Sequence, residues 1–207
     1  MSQVVYLTPG KREQTKAANR LAILDAAREV FGELGFETAT VRDIVRRSGL
    51  SVGAFYNYYR SKEEVFAALA DDGARRFKPI LQAQSAKATD FESYLRAAVA
   101  AYFDFVAAEH QSWESEGDQL PRVHNTPEIL AVFAEVRRVF ATIMDRDLSA
   151  KVDIDFLAAS CIAVAREIGD RMMERNPVDV AGATDFVVRL ILGGVPNLPR
   201  LDRRDRN

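Results

Sequence analysis

Residues 40–62, TVRDIVRRSGLSVGAFYNYYRSK, constrain the fold more than any other stretch. Thr40 is followed three residues on by Asp43, the pattern of a capping box, in which two side chains satisfy backbone N–H groups that a helix start leaves unpaired. Val41, Ile44 and Val45 give that helix one apolar face. Gly49 follows, a residue that reaches the left-handed conformation without steric penalty and so ends a helix. Ser51 is the expected cap of a second segment running to about Tyr59, and Ser61 with Glu64 forms another box that opens a third helix. Three helix starts this close together leave room for a helix-turn-helix followed by a connecting helix.

The second segment has an unusual surface for a core helix. Gly53, Ala54, Tyr56, Asn57 and Tyr58 are small, aromatic or polar, and Val52, Phe55 and Tyr59 are the residues expected to look inward. Tyrosine and asparagine donate to phosphate oxygens or read base edges, and small residues let a backbone approach a groove. The plain alternative is a tyrosine cluster that supports a small fold. The glycine turn and the basic residues around it favour the nucleic-acid reading.

Residues 23–69 resemble the DNA-binding domain of the TetR family of bacterial transcriptional regulators. The resemblance rests on Ile23, Ala26, Ala27, Phe31, Gly35 and Phe36, Thr38, Thr40, Ile44, the run Ser48 to Ser51, Gly53, Tyr56, Tyr59, the run Ser61 to Glu63, and Phe66. It implies an all-α protein of about nine helices. An N-terminal three-helix helix-turn-helix domain (11–62) would be joined to a C-terminal ligand-binding and dimerisation domain (63–195), with flexible termini at 1–10 and 196–207. It also implies DNA contacts from Thr40, Ser51, Gly53, Ala54, Tyr56, Asn57, Tyr58 and Lys62. The chain departs from the common family pattern at Asn57 and Tyr58, which bears on base preference rather than fold.

Charge agrees with that division. The whole chain carries −2, yet residues 1–62 hold ten Lys and Arg against six Asp and Glu, so the positive excess lies on the segment with the helix-turn-helix. Lys11, Arg12, Lys16 and Arg20 lead the first helix, as a solvated end or as an arm touching DNA. Lys62 stands at the first position of a helix, where the dipole disfavours a cation, so a phosphate partner is expected. One cysteine, Cys161, rules out an internal disulfide and a multi-cysteine zinc site. No metal or cofactor is expected. No apolar run reaches spanning length and no signal pattern opens the chain, so a cytoplasmic protein without membrane contact is expected.

The rest reads as helix. A first helix over 15–34 places Ile23, Ala27, Val30, Phe31 and Leu34 on one face. The helix from Ser61 carries Val65, Phe66, Leu69 and Phe77, with Pro79 as an expected end or kink. Further helices are expected over about 91–108, from Thr126 and Pro127 onward, over 153–175 and over 180–192, the last stopped by Gly193 and Gly194.

Tyr102, Phe103, His110, Trp113, His124, Phe133, Phe140 and Arg166 are candidate pocket residues for a small, largely apolar effector, with ordinary core packing as the alternative. Ala158, Ala159, Ile162, Phe186, Val187, Leu190 and Ile191 are candidates for a homodimer seam between the last two long helices. The resemblance implies a homodimer on a palindromic operator in double-stranded DNA, a repressor released by its ligand. Two other classes remain: a helical interaction protein with a vestigial motif, and an enzyme using Cys161 with a histidine. The second lacks an activating motif beside the cysteine.

Overall fold

The computed structural model describes residues 10–110, 126–147 and 152–199. Eight α-helices occur among them: α1 (Lys11–Leu34), α2 (Val41–Ser48), α3 (Val52–Tyr56), α4 (Lys62–Ser85), α5 (Phe91–His110), α6 (Pro127–Asp147), α7 (Ile154–Met173) and α8 (Val180–Gly194). A 3-10 turn, Val195–Asn197, follows α8. The class is all-α, as expected, with no strand among the described residues and a helix count close to the expected nine. None of these helices is long and apolar enough to cross a membrane.

The described residues pack as two units that divide within α4, after Leu69. The first is built on three rings. Phe31, Phe36 and Phe66 meet pairwise at centroid distances of 5.3, 5.8 and 5.2 Å, a tilted and edge-on arrangement that aromatic quadrupoles favour. Ile23, Ala27, Ile44, Phe55 and Val65 close around them and are fully buried. Positive φ is required twice, at Gly35 between α1 and α2 and at Gly49 between α2 and α3, where a side chain would strain the backbone.

Several local expectations for this unit are revised. α1 begins at Lys11 rather than Thr15, because the Gly10 carbonyl accepts from the N–H groups of Glu13 and Gln14. The Thr15 hydroxyl instead donates back to the Lys11 carbonyl at 2.9 Å. Leu34, expected inward, ends α1 and is exposed. α3 is five residues long and stops at Tyr56, but turn bonds from Tyr58 and Tyr59 to the Phe55 carbonyl bring Tyr59 into the core. Val52 points outward, 53% exposed.

The second unit is centred on Tyr94, Phe103, Phe140, Ala158, Val187 and Val188, all at most 1% exposed. Phe140 meets Phe91 at 5.1 Å and Tyr94 at 5.9 Å. Gly169 permits close approach of α7 to α5, since a Cβ there would lie 3.4 Å from ring atoms of both Tyr102 and Phe103. Pro79 neither ends nor interrupts α4, which continues to Ser85, and α8 runs through Gly193 and Gly194 into the 3-10 turn. Pro127 is the first residue of α6, as expected, and the Thr126 carbonyl accepts from the Leu130 N–H at 2.9 Å, but the Thr126 side chain makes no capping bond. The Glu128 N–H donates to the Asp71 carboxylate of α4 at 2.9 Å, and the buried Thr126 hydroxyl has no partner.

Candidate nucleic-acid interface

The capping box at α2 is complete. The Asp43 N–H donates to the Thr40 hydroxyl oxygen at 3.3 Å, and the Asp43 carboxylate accepts from the Thr40 N–H and hydroxyl at 3.1 and 2.5 Å. These bonds, the hydroxyl first, hold the Asp43 carboxyl below the usual carboxylate range. Ser51 caps α3 by accepting from the Ala54 N–H at 3.1 Å. Both helices of the turn therefore start where the spacing of their caps says they should.

Around α3 the expected DNA residues share one accessible surface. Ser51, Gly53, Tyr56 and Asn57 are exposed, and Ala54 and Tyr58 are partly so. Tyr56 is 53% exposed, while its neighbour Phe55 is fully buried and meets its ring edge-on at 5.5 Å. A Cβ added at Gly53 would meet nothing within 4 Å. No packing within the protein therefore asks for glycine there; the missing side chain clears space outward. Tyr59 has the opposite role, buried with its hydroxyl accepting from Arg20 Nε of α1 at 3.2 Å.

Lys62 also has partners within the protein. Its ammonium donates to the carbonyls of Phe36 and Glu37 at 2.7 and 2.9 Å and sits 4.6 Å from the Phe36 ring centroid. Two of its three N–H donors thus tie the start of α4 to the α1–α2 connection. Glu64 also deviates: its N–H donates to Ser61 Oγ at 3.3 Å, but its carboxylate accepts from the Arg60 N–H rather than that of Ser61. The arginines of α2 were not among the expected contacts. Arg47 is pinned to Glu29 and Glu33 of α1 at 2.6 Å each, and Arg46 pairs with Asp43 at 2.9 Å. The side-chain hydrogen bond from Arg47 lowers the Glu33 pKa.

In the second unit, Tyr102, Phe103 and Arg166 come together at the α5–α7 packing. Burial pushes the Tyr102 hydroxyl up to about 12; Asp170 pushes the same way and Arg166 opposes it. Phe103 and Phe140 are core residues, and Phe133 is partly buried. The His110 side chain, Trp113 and His124 lie outside the described residues. An open depression of about 600 Å³ is lined by Asp90, Phe91, Glu92, Arg96, Leu192 and Val195 among others, and by none of the candidate pocket residues. Cys161 is buried, and burial pushes its thiol up to about 12, which disfavours the thiolate. No cluster of three metal-ligating side chains occurs among the described residues.

Of the candidate seam residues, Ala158, Val187 and Ile191 belong to the core of the second unit. Ile162 is partly buried and Ala159 exposed. Phe186 and Leu190 are 57% and 53% exposed, one helical turn apart on α8, and Phe156 on α7 is 75% exposed. The apolar character of Phe156 fits a core position equally well, so sequence alone does not mark it as exposed.

Comparison with known proteins covers two scales. The family model described as "Bacterial regulatory proteins, tetR family" matches residues 23–69. The HTH-type transcriptional repressor Rv1474c of Mycobacterium tuberculosis is 39% identical over 72 residues, 35% of this chain and 38% of that relative. The chain thus spans well under two thirds of that relative's length. Over the greater part of the chain, the fatty acid degradation regulator FadR of Bacillus halodurans superposes with a TM-score of 0.68 at 23% identity, covering 91% of this chain and 98% of that one. FadR of Bacillus subtilis, solved in complex with stearoyl-CoA, superposes with a TM-score of 0.66 at 17% identity over 84% and 98%. At such identities these structures establish a shared fold.

Proposed function

We propose, for a chain that belongs through residues 23–69 to the tetR family of bacterial regulatory proteins, that it is a ligand-responsive homodimeric transcriptional regulator. It acts as a repressor that binds a palindromic operator and is released by a small, largely apolar ligand. The observation that carries this reading is the surface of α3: capped by Ser51, backed by buried Phe55, and presenting Ser51, Gly53, Tyr56 and Asn57 with open space before Gly53.

In this reading α3 enters the major groove. Ser51, Gly53, Ala54, Tyr56, Asn57 and Tyr58 lie at or near base edges, and Thr40 and the remaining donor of Lys62 meet the backbone. Phe156, Phe186 and Leu190, with the small residue Ala159 beside them, form the isologous seam. A second copy covers them and supplies the second recognition helix. The effector acts through α4. That helix gives Val65, Phe66 and Leu69 to the first core, and beyond Ala70 it is held by charge to its neighbours. Asp71 caps α6, Arg75 lies 3.5 Å from Glu128, and Arg76 is bidentate to Glu109 of α5 at 2.5 and 2.6 Å. A ligand that shifts α5 or α6 therefore pulls on α4 through these bonds and disfavours the DNA-bound arrangement.

The test is selection of bound sequences from random duplex DNA by the purified protein, with a salt titration on the enriched duplex. A palindromic site with steep salt dependence supports the reading; a protein that shows no salt-dependent DNA affinity is an interaction module with a vestigial motif. Tyr56→Ala should weaken binding to the enriched site while helicity and dimer mass stay unchanged. Stearoyl-CoA, the ligand held by one structural neighbour, is the first effector to add, and release of the duplex is expected.

A further inference from the structure

The three arginines of α2 share one short helix, yet the structure divides them. Arg47 places both terminal nitrogens on α1: Nη1 donates to Glu29 at 2.6 Å and to Glu33 at 2.9 Å, and Nη2 to Glu33 at 2.6 Å. Arg46 donates to Asp43 at 2.9 Å, the same carboxylate that closes the capping box. Arg42 is exposed, and no ion pair or hydrogen bond reaches its guanidinium from any described residue.

Position separates them as well. Ile44 and Val45 of α2 are buried, and Val41 and Ser48 are partly so. At 3.6 residues per turn, Arg42 and Arg47 stand about 140° apart around the axis, on opposite flanks of that inward face. Arg47 takes the flank against α1. Arg42 takes the other, in the first turn and two residues from the exposed Thr40. A cation in the first turn of a helix is disfavoured by the backbone dipole, and the nearby Asp43 is already engaged by Thr40 and Arg46. An unpaired guanidinium at such a place is stabilised when an external anion arrives.

We infer that Arg42 is a positioning residue of the DNA interface that binds a backbone phosphate, whereas Arg47 is an internal strut holding α2 to α1. The inference rests on the proposed DNA-binding function. In a helix-turn-helix the first helix of the pair crosses the sugar-phosphate backbone, and contacts there set register without reading sequence. Arginine matches phosphate with two parallel N–H donors, so the contact is directional as well as electrostatic.

Binding of the full-length protein to the enriched duplex and to a scrambled duplex, measured by fluorescence anisotropy across a salt series, tests this for wild type, Arg42→Ala, Arg42→Lys and Arg47→Ala. Arg42→Ala should weaken binding to both duplexes by the same several-fold factor. It should also flatten the slope of log affinity against log salt by about 0.9 for each subunit bound. Arg42→Lys should restore the slope, and Arg47→Ala should keep the wild-type slope while lowering the melting temperature. An Arg42→Ala protein with wild-type affinity and slope overturns the inference while leaving DNA binding intact. A loss confined to the enriched duplex also overturns it, by making Arg42 a base reader. Wild-type protein with no salt-dependent affinity for either duplex brings down the functional reading and this inference together.

Discussion

The two units treat their outward faces in opposite ways. In the first, the inward and outward sides of the helix-turn-helix differ in chemistry: Ile44 and Phe55 are buried, while Ser51, Gly53 and Asn57 are exposed. In the second, the outward sides of α7 and α8 also carry large apolar residues. Leu157, Val187 and Val188 face the core, yet Phe156, Phe186 and Leu190 stand exposed with the same apolar character. A surface meant for water or nucleic acid is distinguishable from a core by composition. A surface meant for a second apolar surface is not, because burial against another chain rewards the same side chains as burial within one.

The largest effect that would sharpen this contrast comes from the aromatic cluster of the first unit. Phe31→Ala should destabilise that unit by about 3–5 kcal/mol through lost contacts and a cavity. Circular dichroism on heating should then resolve an early transition, with the helices of the second unit melting later. A single transition shifted to lower temperature would mean that the two units melt as one cooperative block, and an unchanged one would remove Phe31 from the stability of the first unit.

Next comes the apolar face of α7 and α8. Phe186→Glu combined with Leu190→Glu should convert the proposed dimer to a monomer by light scattering, at unchanged helicity. Val187→Glu, one residue away but fully buried, should instead unfold the second unit. A double variant that stays dimeric would show that this face is not the seam.

A smaller effect is expected at the start of α6. Asp71→Ala removes the carboxylate that accepts from the Glu128 N–H and should lower stability by about 1 kcal/mol in a denaturant titration, with Asp71→Asn recovering most of it. Thr126→Ala should cost far less, since its hydroxyl caps nothing. Equal losses from the two would restore Thr126 as the cap.

The smallest effect concerns acid. The Asp43 pKa is lowered in the folded chain, from an ordinary value of 3.8, chiefly by the Thr40 hydroxyl. The unfolded chain therefore binds the proton more readily than the folded one. The contribution of Asp43 is fully present above the unfolded value and is lost as pH falls through the folded value, below 3.8. A melting-temperature series from pH 6 to about pH 3 should show wild type losing stability more steeply than Asp43→Asn at the acid end. Parallel curves would remove Asp43 from the acid response.

Legibility followed the range of the interactions. The caps at Thr40 and Ser51 act over three residues, and both read correctly from spacing alone. Asp71 and Glu128 are 57 residues apart, and Lys62 and Phe36 are 26 apart, so no local pattern announced either bond. Spacing alone points to the adjacent Thr126 as the cap of α6 and leaves the internal partners of Lys62 unmarked. Val52 illustrates the same limit: an apolar residue on a short helix suggests burial, but as the first residue of α3 it stands 53% exposed.

By itself, the sequence determined the all-helical class, the capping box at Thr40, the positive-φ turn at Gly49 and the inward face carried by Ile23, Ala27, Phe31, Ile44 and Phe55. These depend on backbone sterics, on hydrogen bonds between near neighbours and on the period of the helix, all encoded within a few residues. Tertiary structure alone decided that Arg47 braces α1 while no described residue pairs with Arg42, that Asp71 caps a helix more than fifty residues away, and that Phe186 faces outward while Val187 faces in. Those outcomes depend on which flank of a helix meets its neighbours, and that is settled only when helices distant in the chain pack together.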